Sequence, residues 1–77
     1  MVALNRISSE ARRQHLSNVL KEQEKLIVVA ALHAGVNPDE VDPATHPAAE
    51  DCEGVLDIRL AERVAAYNRL KSALEGV

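Results

Sequence analysis

The stretch Leu26-Ile27-Val28-Val29-Ala30-Ala31-Leu32 is an unbroken apolar run inside a segment that otherwise patterns as an amphipathic helix. A helix turns a new face at every residue, so such a run needs cover on all sides rather than along one stripe. One small hairpin supplies less cover than that, and the run therefore points to a second chain, either a copy or a target. The β-branched Ile27, Val28 and Val29 also suit a strand. No second strand-like segment exists to pair with them, so the helical reading stands.

Working outward, Ser8 or Ser9 can cap the first helix with a hydroxyl. Gly35 ends it: a glycine at C′, Val36 for the hydrophobic contact of a Schellman cap, and Pro38 where the helix cannot continue. Over 8–35, Leu16, Val19, Leu20, Leu26, Ile27, Ala30, Ala31 and Ala34 fall on one face at helical spacing. Gln23 interrupts that face, either as a register-setting polar residue or with an ordinary hydrogen bond. The connection, 36–46, contains Asn37-Pro38-Asp39-Glu40, whose cap, Pro at N1 and acid at N3 predict one helical turn. Asp42-Pro43 repeats the signal weakly.

The second helix is expected over 47–75, starting at Pro47. Ala49, Cys52, Leu56, Leu60, Val64, Tyr67, Leu70 and Leu74 form its apolar stripe. Gly54 costs about 1 kcal/mol against Ala inside it, with Asp51 as an alternative cap. The fold class is all-α: one antiparallel helical hairpin over 1–77, dimerising into a four-helix bundle.

Size supports the dimer. In a 77-residue chain, a single core rarely supplies more than ~3–5 kcal/mol, and disulfides, metals or oligomerisation make up the difference. Cys52 is the only cysteine, which excludes an internal disulfide and fits a reducing compartment. His15, His33, His46 and Cys52 lack paired ligand spacing, so no metal is expected. With one Tyr and neither Phe nor Trp, the core rests on aliphatic residues of modest area. The N-terminus lacks a signal-peptide pattern, and the longest apolar run is short of the ~20 residues that span a bilayer. A cytoplasmic location follows as the expectation.

Two apolar surfaces remain when the hairpin is closed on a helical wheel. Val28, Val29 and Leu32 lie opposite the core stripe; with the nearby acids Asp39 and Glu40 they are the expected partner-binding face. Ile58, Ala61 and Ala65 form a small-residue row that admits a close helix, the expected self-association seam. Charge is sorted too. Every Lys and Arg precedes Leu26 or follows Ile58, while Asp39, Glu40, Asp42, Glu50, Asp51, Glu53 and Asp57 occupy the middle. An antiparallel hairpin then has a basic pole at its termini and an acidic pole at its loop, within a net charge of −3.

No nucleophile, base and orienting group form a local catalytic motif, and no glycine-rich phosphate loop is present. The chain reads as a non-enzyme without a cofactor. A dimeric RNA- or DNA-binding regulator using Arg12, Arg13, Arg69 and Lys71 is the alternative. Net acidity and the lack of stacking aromatics weigh against it. Membrane binding is disfavoured because the basic residues do not share a face beneath a large apolar one. The sequence thus points to a stoichiometric protein-binding module: an inhibitor, anti-activator, adaptor or assembly chaperone. Small phage and bacterial regulators are often built this way, an analogy of size and architecture rather than of residues.

Overall fold

The computed structural model describes residues 2–76, with side chains described from Ser9 onward. Helix α1 spans Val2–His33 and helix α2 spans Val55–Glu75, joined by a connection with 3-10 turns at Pro38–Glu40 and Ala49–Asp51. Among the described residues there is no strand.

The 32 residues of α1 rise through roughly 48 Å at 1.5 Å each. The molecule measures 49 × 20 × 17 Å, so α1 alone accounts for its length. The 21-residue α2, roughly 31 Å long, fits those cross-sections only alongside α1. Ile27, Ala30 and Ala31, late in α1, share a core with Leu60 and Val64, early in α2. A parallel arrangement would carry α2 about 20 Å beyond the end of α1. The helices are therefore antiparallel. Counting back from the core, α2 ends level with about Leu16, and the side chains of Ser9–His15 are accordingly all exposed.

Both helix starts differ from the sequence expectation. Helix α1 runs through Ser8 and Ser9 instead of beginning there; no Gly or Pro lies upstream to stop it, and Ser is tolerated in a helix at a few tenths of a kcal/mol. Helix α2 starts eight residues later than expected, at Val55, with Gly54 as an N-cap that offers no side-chain hydrogen bond. Gly54 is worst placed inside a helix and harmless at its boundary. The residues before it use a 3-10 turn and an extended Cys52 to travel back to the α2 start. Ala49 and Cys52 consequently lie outside the α2 stripe.

The end of α1 follows its local chemistry. Gly35 has φ +74°, the left-handed value a C′ glycine takes without strain. Its N–H reaches Leu32 O at 3.2 Å, and Val36 N–H reaches Ala31 O at 2.8 Å. That pair of bonds is the Schellman arrangement, and Val36 then packs against the core. The turn at Pro38–Glu40 forms as expected, with Asn37 Oδ1 accepting from the Asp39 N–H at 3.0 Å. Asp42 Oδ1 likewise accepts from the Ala44 N–H at 3.0 Å.

The connection folds back along the hairpin rather than projecting from it. Val36 and Val41 pack on the core, and Asn68 Nδ2 donates to Pro43 O at 2.9 Å. Asn68 lies two turns beyond Leu60 on α2, in one row with Ala61 at i, i+7. The connection therefore covers the Ala61–Asn68 side of the hairpin. The row Leu56, Arg59 and Arg63, at i, i+3, i+7, lies on the other side of Leu60.

The resulting core is small: among the described residues, Ile27, Ala30, Ala31, Leu60, Ala61 and Val64 are the buried apolar ones. Leu26, expected in it, is 37% exposed, because one residue before Ile27 is about 100° around the helix. The accessible surface is 5678 Å², against about 4,600 Å² for a compact monomer of 8.4 kDa. The radius of gyration is 15.0 Å, where a compact chain of this length has about 11.5 Å.

Gln23, one turn before Ile27 on the core side of α1, buries Oε1 without a hydrogen-bond partner. A buried acceptor left unpaired costs about 1–3 kcal/mol. Gln23→Leu should therefore raise the free energy of unfolding by about 1 kcal/mol in urea titration; a loss of stability would mean the amide is paired in solution.

Candidate protein-interaction surface

Among the described residues, the large apolar side chains left exposed are Leu26, Val28, Val29 and Leu32 on α1, and Val55 and Leu56 at the start of α2. All lie toward the loop end of the molecule. Val28, Val29 and Leu32, at 43%, 47% and 62% exposure, face away from the core as their helical positions require. They do not form one patch. Val28 borders a shallow hollow with Asn18, Lys21, Glu22, Glu24 and Lys25, where the Lys25–Glu22 ion pair, 3.6 Å long and fully in water's reach, contributes little.

Val29 belongs to a different feature, a cleft of about 140 Å³ between the two helices, lined by Leu26, Val29, Ala30, His33, Arg59 and Arg63. Leu26, Val29 and His33 form one wall at i, i+3, i+7. Arg59 and Arg63, one turn apart, form the other, and Leu56 extends that row toward the loop end. Ala30, buried in the core, lies between the walls. This is the flank that the connection does not cover.

The charge at this place differs from expectation. The sequence pattern places Arg59 and Arg63 in a basic pole at the chain termini, and Asp39 and Glu40 beside the apolar face. Because α2 starts at Val55 and Leu60 shares a core with Ala31, both arginines stand level with Leu26–His33, at the loop end. Asp39 and Glu40 are exposed on the Pro38–Glu40 turn and line neither hollow that Val28 and Val29 border. The rim of the cleft is basic.

The expected seam of Ile58, Ala61 and Ala65 is not a surface stripe. Ala61 is 2% exposed, Ile58 is half-buried, and Ala65 alone is exposed. Ala61 lies on the side that the connection covers, and so it forms part of the chain's own core. A partner helix cannot reach its methyl.

The basic residues of the nucleic-acid alternative are exposed, but they do not share a face. Arg69 and Lys71 are two apart on one helix, about 160° around its axis from each other. Arg12 and Arg13 lie on the part of α1 beyond α2.

A further hollow of about 410 Å³ under the connection is lined by Val36, His46, Pro47, Asp51, Cys52, Glu53, Asp57 and Leu60. That His46 and Cys52 border one space was not legible in the sequence, since nothing local links them. The half-buried thiol donates to Ala48 O at 3.4 Å. Among the described residues no group of three or more His, Cys, Asp or Glu side chains is arranged to hold a metal ion. No helix of the described residues is long and apolar enough to cross a membrane.

No family model, no curated protein and no solved structure matches this chain, and its functional reading rests on the geometry above.

The placement of the alanines is directly testable. Ala61→Glu buries a carboxylate in the core and should abolish the helical circular-dichroism signal, whereas Ala65→Glu, one turn on and exposed, should leave it unchanged. Equal behaviour of the two variants would return Ala61 to the surface.

Proposed function

We propose that the chain is a non-enzymatic, cytoplasmic protein-interaction module that works stoichiometrically, self-associating into a four-helix bundle and presenting a helix-lined surface to a protein target. The observation that carries this reading is the mismatch between core and surface. Among the described residues six apolar side chains are buried, three of them alanines, while six leucines and valines stay exposed toward the loop end. The surface in excess of a compact monomer, about 1,000 Å², is comparable to the ~800 Å² that each partner buries in a standard protein interface.

With Ala61 inside the hairpin, the self-association seam passes to the outer face of α1, centred on Val28 and Leu32. An isologous pairing there lays two α1 helices side by side and makes the two hairpins a four-helix bundle. The cleft along Leu26 and Val29 is the surface offered to the target. Inhibition, anti-activation, adaptor activity and assembly chaperoning are all served by a module that occludes or bridges a helix of its target, and none asks for catalysis or a cofactor.

Sedimentation equilibrium over a hundredfold range of micromolar concentration tests the self-association. The expected result is a species of twice the 8.4 kDa chain mass, converted to single chains by Val28→Glu/Leu32→Glu with helical content retained in dilute solution. A single 8.4 kDa species at every concentration would overturn the bundle.

A further inference from the structure

We propose that the cleft between α1 and α2 is a docking groove for an acidic amphipathic helix of a partner protein. The inference rests on reading the chain as an interaction module and adds the charge and secondary structure of what it binds. The walls carry the first part. Leu26, Val29 and His33 face Arg59 and Arg63 across Ala30, two rows at helical spacing with a small residue between them. A third helix laid along such a groove sets its own i, i+3, i+7 side chains between the rows.

Charge carries the second part. No acid lines the cleft, although acids outnumber bases in the chain. Arg59 and Arg63 have no ion pair or hydrogen bond among the described residues. Glu62 borders the adjoining hollow with both arginines and with Ala66, on the outer side of α2, and pairs with neither. Two guanidinium groups beside apolar wall atoms favour carboxylates that approach flanking an apolar stripe, because Arg binds carboxylate through paired donors.

A second copy is the poorer occupant. Its acid-rich stretch lies in the connection, whose only regular elements are two three-residue 3-10 turns. An isologous pairing centred on the cleft would also set Arg59 and Arg63 against themselves. The occupant that meets both the spacing and the charge is a helix from another protein, with Leu- or Ile-type residues on one face and Asp or Glu at its edges.

The test uses the full chain and two fluorescein-labelled synthetic 18-residue peptides. Both carry Leu at alternating three- and four-residue spacing; one has Glu and the other Lys at the flanking positions. In anisotropy titrations at low salt the Glu peptide should bind at least about tenfold more tightly than the Lys peptide, with the gap closing at high salt. Arg59→Glu/Arg63→Glu, at exposed positions, should reverse the order. Equal affinities, binding of neither peptide, or an order unchanged in the variant would overturn the proposal. So would an RNA oligonucleotide that displaces the Glu peptide more effectively than unlabelled peptide does. Because sedimentation reads self-association separately, a dimer that ignores both peptides refutes the groove and leaves the bundle standing.

Discussion

The packing of α1 against α2 at Ala30, Ala31, Leu60 and Val64 is the contact on which the rest of the structure depends. Small side chains let the two backbones come near each other and seat Leu60 and Val64 between them. They also bury little area. At about 25 cal/mol per Å² of apolar surface, a contact to which α1 brings two alanines fixes geometry more effectively than it supplies free energy. The chain compensates locally. The Schellman bonds at Gly35 hold the α1 end, Val36 and Val41 extend the core, and the Asn68–Pro43 hydrogen bond ties the connection to α2.

That tie makes the molecule asymmetric. One flank of the hairpin is roofed by the connection and takes Ala61 into the interior. The other stays open, and there the exposed row of α1 meets the arginines of α2. The same register that seats Leu60 against Ala31 therefore brings Arg59 and Arg63 level with Leu26 and Val29. Charge and exposed apolar surface coincide because one helix-to-helix contact positions both. The outer face of α1, with Val28 and Leu32, is a third surface, separated from the cleft by its direction around the helix.

Features governed by nearest neighbours were legible in the sequence. Gly35-Val36-Asn37-Pro38 announced a Schellman stop followed by a capped turn, since a positive φ and an Asx cap need only local chemistry. Periodicity sorted Ile27, Ala30 and Ala31 from Val28, Val29 and Leu32 within one apolar run. What depended on the tertiary arrangement was not legible. Pro47 and Gly54 are both competent helix starts, and the choice between them turns on whether residues 47–54 are needed to bring the connection back to the hairpin. Ala61 and Ala65 look alike because alanine carries no directional signal. The rows Leu26, Val29, His33 and Leu56, Arg59, Arg63 lie at helical spacing, but by periodicity Leu26 and Leu56 read as core positions. That the rows face each other requires the register between helices, which no local pattern encodes.

In the four-helix bundle proposed above, a thin hairpin core gains stability from a second copy. Stability of such a chain depends on concentration, because unfolding is coupled to dissociation. The direct measurement is the urea midpoint of the unmodified chain at about 2 μM and about 200 μM, followed by circular dichroism. A bundle gives a midpoint that rises clearly with concentration, by an amount equivalent to about 2.7 kcal/mol if dissociation accompanies unfolding throughout. One midpoint at both concentrations would contradict it, and would make the monomeric hairpin the complete folded unit.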